Sequence, residues 1–430
     1  MYKVKESGLF YGWYVVGSLF FASVLAMGLR QGFGVFVATW ERELGASVAA
    51  ISVAGAVGWL ANGVSQPVFG RLADQFGGKR VLVGSLIAMG VGAAATSLAR
   101  SVYGLIAFYG IIVSLASGGV SFTTSGVVVA KWFRRKRGLA MGFLAAGGSV
   151  GGLILVPFAG FMLFLTDWGI AWLVLGGIIL CLGVPLLILV VRSSPAELGL
   201  FPDGEGDATG VAPSGRQTGS GPLFVEEWWH SFRSAPIWQL SATFMICGVT
   251  TASISVHYVR WAVSEDISPG AAALAFGVLS GINGIAVFLI SAISDKMQRK
   301  TLLTIVYLVR GVAFLGLMLL PGVAALWFFA VVGGMSWLAT VPLTTSLAAD
   351  VYGLKHLGTL AGLINLAHQV GGAAAVFLFG LVFDFTGSYD AGFLGGAILL
   401  GFAGALALSI RESNQSARYA RMDPPLSTHT

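Results

Sequence analysis

RGLAMGFLAAGGSVGGLILVPFAGF (137–161) and LGTLAGLINLAHQVGGAAAVFLFGL (357–381) are two versions of one segment. At an offset of 220, Gly138 meets Gly358, Gly142 meets Gly362, Val150-Gly151-Gly152 meets Val370-Gly371-Gly372, and Gly160 meets Gly380. A second pair lies upstream: GRLADQFGGKR (70–80) and SAISDKMQRK (291–300) superpose Asp74 on Asp295 at an offset of 221. Self-similarity at such a long period means a duplicated unit. Each copy also carries closely spaced small residues. GGSVGG (147–152) holds two overlapping small-xxx-small pairs, which let helices approach closely in lipid.

The surrounding composition is that of a membrane protein. Of 430 residues, 56% are hydrophobic and 10% charged, against roughly 25% charged in soluble domains. Cys181 and Cys247 both fall in apolar segments, so neither a disulfide framework nor a thiolate metal site is expected. The net charge of +6 is not a nucleic-acid signature, because the basic residues sit between apolar runs. MYKVKESGLFYGWYVV leads into a long apolar segment without a small-residue cleavage site, which predicts a retained first helix.

A spanning helix needs about 20 apolar residues. That template predicts twelve spans, at 12–38, 48–72, 80–99, 102–130, 138–164, 169–192, 237–263, 270–294, 300–320, 322–349, 356–383 and 388–410. Short connections near Pro321 and Gly387 make their pairs tight hairpins. PDGEGDATGVAPSGRQTGSGPL (202–223) is Gly-, Pro- and Ser-rich and reads as a flexible linker. LFVEEWWHSFRSAPIW after it suggests a short interfacial helix. The predicted organisation is a six-helix half at 1–192, a cytoplasmic linker at 193–236, a second six-helix half at 237–411 and a cytoplasmic tail at 412–430. An even helix count per half makes the repeats parallel, with a central site between them. Of 25 Lys and Arg, Arg30 and Arg310 lie inside spans, only Arg42, Arg100 and Arg260 fall on the far side, and the other 20 share the side of both termini. Both termini are therefore expected in the cytoplasm.

GRLADQFGGKR resembles the loop signature of the major facilitator superfamily through Gly70, Leu72, Asp74, Gly77, Lys79 and Arg80. The resemblance covers essentially the whole chain. GWYVV, RQGFGVF, VPLTTSLAADVYGLKHLGTLAGL and FDFTGSYD look like the bacterial monocarboxylate-transporter and oxalate/formate-antiporter branch. It implies an all-α fold of twelve spans. It also implies a cytoplasmic gate built on Gly70, Asp74, Gly77, Lys79, Arg80 and Asp295, a motif that on the residues alone also reads as a topology determinant. Helices one, four, seven and ten are implied to line a cavity, with helices three, six, nine and twelve facing lipid.

The ionisable residues inside the spans are Arg30, Arg310, His257 and His368, and no Asp or Glu lies at mid-membrane. Buried cations without an acidic partner are costly. They imply a cavity that accepts an anion, and a guanidinium suits a carboxylate. Arg30 is some 18 residues into its helix, roughly 27 Å of rise, which predicts the outer half of the membrane. There it either binds substrate or snorkels to headgroups. The resemblance places it where animal monocarboxylate transporters carry a lysine that holds the anion. Arg310 is expected near mid-membrane on the ninth helix, as a structural partner or a substrate contact. The branch's eighth-helix arginine is absent, since the corresponding position is Val287, and the eleventh helix offers Asn365, His368 and Gln369 in place of a lysine.

The candidate substrate-binding set is Arg30, Gln31, Asn62, Ser117, Asn283, Arg310, Trp337, Asn365 and His368. His257 and His368 are the candidate proton carriers, each equally readable as a structural hydrogen-bonding residue. The expected activity is secondary transport of a small organic anion, H⁺-coupled or by exchange. The partners are the lipid bilayer, the anion, and H⁺ or a counter-anion. Nucleic acid is not expected, nor is a metal or cofactor. The protein is expected as a monomer in a bacterial inner membrane. Alternatives are an exporter of amphipathic compounds and, more remotely, a membrane sensor. No P-loop or catalytic constellation supports ATP-driven transport or an enzyme.

Overall fold

The computed structural model describes residues 9–133, 136–204, 223, 227–294, 297–352 and 356–410. Among them, eleven helices are long and apolar enough to cross a membrane, and Gly322–Gly333 is a shorter apolar helix. The first half comprises α1 (Tyr11–Leu44), α2 (Val48–Phe76), α3 (Gly78–Thr96), α4 (Val102–Trp132), α5 (Arg137–Leu165) and α6 (Trp168–Val190). The second comprises α7 (Ala235–Ser264), α8 (Pro269–Ser294), α9 (Arg299–Leu319), α10 in two pieces (Gly322–Gly333 and Thr340–Tyr352), α11 (Leu357–Thr386) and α12 (Asp390–Leu408).

Packing repeats the sequence duplication. Within each half α1 runs along α5 and α7 along α11; between halves α2 packs on α11 and α5 on α8. The intra-half contacts are backbone-close at equivalent positions. A methyl placed on Gly151 would lie 2.4 Å from Val24 O, and one on Gly371 the same distance from Met245 O. Only glycine admits both approaches.

Three expectations change. α1 does not end near residue 38 but bends at Gly32 and continues to Leu44. The expected tenth span at 322–349 is not one helix. It is α-helical over Gly322–Phe328, π-helical over Phe329–Gly333 and irregular until Thr340. α4 is built the same way, with a π-helical stretch at Ile106–Val113 and a break at Val120–Ser121. Such breaks survive in a membrane only where side chains take over the freed backbone groups. Finally, the interfacial helix expected in the linker is a single 3₁₀ stretch, Trp228–Arg233, and α7 begins at Ala235 directly behind it.

The end of the bundle opposite the loop motif carries a clasp between the halves. Arg260 on α7 donates from Nε and a terminal nitrogen to Glu41 on α1, at 2.6 and 3.2 Å. Its guanidinium also lies 4.3 Å from the centre of the Phe383 ring. Asp384 on α11 accepts from Val48 N at 3.0 Å and Ala49 N at 2.9 Å, capping α2 with a negative charge where the helix dipole favours one. Replacing Asp384 by Asn leaves one carbonyl acceptor and no charge. The expected cost is about 1 kcal/mol, read as a lower unfolding midpoint in detergent. An unchanged midpoint would show that the cap contributes nothing.

Candidate functional site

The amide side chains of α2, α8 and α11 gather where the halves meet, around two asparagines. Asn62 on α2 donates to Ser117 Oγ on α4 at 2.8 Å. Its Oδ1 accepts from Gln66 Nε2 and from Gln369 Nε2 on α11, both at 3.0 Å. Asn365 Nδ2, one turn before Gln369, donates to Gln66 Oε1 at 3.4 Å. Residues four apart share a helix face, so α2 and α11 each present two amides across the seam.

Asn283 on α8 repeats the arrangement. Its Nδ2 donates to Ser149 Oγ on α5 at 3.0 Å, and its Oδ1 accepts from Leu338 N in the break of α10 at 2.8 Å. Asn62 and Asn283 are related by the 221-residue offset, as are Ser117 and Leu338, while Ser149 and Gln369 are related by 220. Each asparagine therefore ties the interrupted helix of its own half to a helix of the other half. Gln31, at the bend of α1, donates to Gly148 O at 3.2 Å and accepts from Ser280 Oγ at 3.3 Å.

The two intramembrane arginines have opposite surroundings. Arg310 is fully buried. One terminal nitrogen donates to Cys247 Sγ at 3.2 Å and Thr250 Oγ1 at 3.3 Å, and the other donates to Ser336 O and Trp337 O. Its guanidinium also lies over the Trp337 ring, 5.9 Å from the centroid. Arg310 thus satisfies carbonyls that the break of α10 leaves without helical partners. Trp337 itself is buried and serves as acceptor and stacking surface in this cluster.

Arg30 is half-buried, and among the described residues its guanidinium has neither a carboxylate partner nor a hydrogen bond. Its side-chain contact is with Trp59 on α2, 5.3 Å from the ring centroid. The depth expected for it is revised. α1 continues from Arg30 to Leu44, about 21 Å of further rise, and Trp59 lies well inside α2. Arg30 therefore lies near the middle of a 34-residue helix.

Both histidines are buried. His257, expected toward the outer end of α7, has both nitrogens engaged, with Tyr389 OH at 3.1 Å and Val376 O at 2.8 Å. His368 is 7% exposed; its Nε2 lies 3.3 Å from Thr251 Oγ1, while Nδ1 has no partner. Its ring lies 5.8 Å from Trp59 and 4.7 Å from Phe244.

In the loop motif, Gly77 takes a positive φ of 87°, which turns the chain from α2 into α3. Lys79 bonds within its own half, from Nζ to Ile188 O at 2.6 Å and from its backbone N to Ser193 Oγ at 3.2 Å. Arg80 is exposed and Gly70 half-buried. The Asp74 side chain and all of Asp295 lie outside the described residues, so the gate pairing expected of them does too.

Sequence reasoning passed over Trp59 and Phe244. Trp59 lies three residues before Asn62 on the same helix face, a spacing readable in GWLAN, but a single tryptophan in an apolar run carries no signal of its own.

Two pseudo-symmetric six-helix halves, joined at a polar seam with a cation that has no partner among the described residues, define a polytopic membrane transporter. The chain belongs to the Major Facilitator Superfamily, whose sequence profile matches residues 19–376. It is similar to monocarboxylate transporter 12 of Homo sapiens, 23% identical over 453 residues, covering 98% of this chain and 85% of that protein. It is also similar to the oxalate:formate antiporter of Oxalobacter formigenes, 24% identical over 357 residues, covering 80% and 79%. A bacterial homologue of the human lysosomal transporter Spinster, crystallised in an inward-facing and occupied conformation, shares the fold. It superposes with a TM-score of 0.71 at 14% identity, over 94% of this chain and 97% of that one.

Proposed function

We propose that the protein is a secondary transporter of a small organic anion, in which Arg30 receives the anionic group. The observation that carries this reading is the contrast between the two arginines. Both terminal nitrogens of Arg310 are engaged by the protein and only its Nε lacks a partner, whereas Arg30 holds a full charge inside the bundle with none of its nitrogens engaged among the described residues. A desolvated cation of that kind is tolerated where an anion or water meets it. Carboxylates match its planar donors. The relatives named for monocarboxylates and for oxalate and formate supply the substrate class.

Alternating access fits the shape. The clasp of Glu41, Arg260 and Asp384 holds the halves together at one end. With the basic loops in the cytoplasm, the clasped end is the outer one. His368, with one ring nitrogen unpartnered beside Trp59, is the stronger proton-carrier candidate; His257 is fully engaged in structure.

Counterflow in proteoliposomes tests the reading, with labelled lactate, formate and oxalate, with and without a pH gradient. Saturable uptake of at least one carboxylate is expected. Absence of uptake for every anion, combined with export of an amphipathic compound by the same vesicles, would instead establish the exporter alternative.

A further inference from the structure

We propose that Trp59 is a positioning residue for Arg30, and that Gly372 is the notch that seats it. The inference rests on the reading of Arg30 as the anion-receiving group. The guanidinium has no hydrogen-bonding partner among the described residues, so it needs another constraint to keep one orientation. The indole of Trp59 supplies a face 5.3 Å from the guanidinium carbon. An aromatic face attracts a cation through its quadrupole and leaves the N–H edge free. Hydrogen bonds to protein would instead occupy the donors an anion needs.

The indole is itself held from the other half of the molecule. A methyl placed on Gly372 of α11 would lie 2.9 Å from Trp59 Cε3 and 3.3 Å from Cδ2, and 3.0 Å from the Ala252 Cβ of α7. Any residue larger than glycine at 372 must push the ring away. The His368 ring lies on the same indole, at 5.8 Å. Arg30 and Trp59 belong to the first half, and Gly372, Ala252 and His368 to the second. The orientation of the cation is therefore set only while the halves are together at this level. When they part, the indole loses its seat, and the guanidinium loses the surface that holds it ready for a carboxylate. The anion-receiving geometry is thereby linked to one conformation of the seam.

The test is counterflow in proteoliposomes with the anion that wild type takes up from the lactate, formate and oxalate panel, with unfolding midpoints measured alongside. Trp59→Leu keeps an apolar side chain but removes the π face. Its half-saturating concentration is expected to rise about tenfold, with the maximal rate largely kept. Trp59→Phe retains a smaller π face and is expected to recover most of that loss. Gly372→Ala, which touches neither the cation nor the ring chemistry, is expected to raise the half-saturating concentration in the same direction. A residue that only fills space would lower the maximal rate or the midpoint and would not distinguish Phe from Leu. An unchanged half-saturating concentration in folded Trp59→Leu, or equal losses in Leu and Phe, overturns the proposal while Arg30-dependent uptake stands. No uptake of any panel anion by wild type removes the Arg30 reading, and this one with it.

Discussion

Arg30→Ala is expected to abolish saturable carboxylate counterflow without lowering the unfolding midpoint. Two charge-assisted hydrogen bonds to a carboxylate, made in a partly desolvated seam, are worth about 3 kcal/mol, roughly a hundredfold in half-saturating concentration. The absence of a stability cost is the sharper half of the prediction. The guanidinium makes no hydrogen bond or ion pair among the described residues, so its removal leaves no protein group unsatisfied. Arg30→Lys keeps a cation but loses the planar pair of donors, and intermediate uptake is expected. If Arg30→Ala transports normally, the anion-receiving role is wrong. If it instead melts early with transport per folded molecule intact, Arg30 is a structural residue.

Arg310→Met is expected to do the reverse. Methionine approximates the bulk of the arginine stem but donates nothing. Ser336 O and Trp337 O, in the break of α10, then lose the donors that bridge them, and Cys247 and Thr250 lose theirs. Leaving buried carbonyls without donors costs about 1–3 kcal/mol each, enough to threaten a marginally stable fold. The measurement is the unfolding midpoint of purified protein in detergent, together with the yield of folded material. Arg310→Lys restores the charge without the fork that spans two carbonyls, so partial recovery is expected. A wild-type midpoint in Arg310→Met, with transport lost, would move Arg310 from the scaffold into the substrate path. The pair of arginines thus gives a crossed result: one variant loses function and keeps stability, the other loses stability first.

Much of the architecture was readable. Apolar runs of spanning length located the helices because lipid admits no unsatisfied backbone. The 220-residue offset marked the halves, and the packing extends it to positions not matched in the sequence reading. Gly28 and Gly248 are one such pair; Asn62 and Asn283 are another. Those pairs were visible in the letters, but isolated matches in low-complexity apolar helices do not stand out until contacts give them a common role. The extent of α1 and the interruption of α10 were not readable. Hydropathy is blind to a π-helical stretch and to a break whose carbonyls are capped by residues on other helices.

By itself the sequence determined that this is a polytopic helical membrane protein, duplicated in parallel, with two arginines in its spans and no acid to pair with either. Those properties follow from local composition, from spacing along one helix and from repetition. Only the tertiary structure decided that the two arginines differ. One is engaged by a thiol, a hydroxyl and two carbonyls drawn from α7 and the break of α10, and the other lies bare against Trp59. Hydrogen-bond satisfaction is a property of groups brought together from distant parts of the chain. The same side chain can therefore be engaged by the protein in one half and bare in the other, and no reading of its neighbours in sequence distinguishes the two.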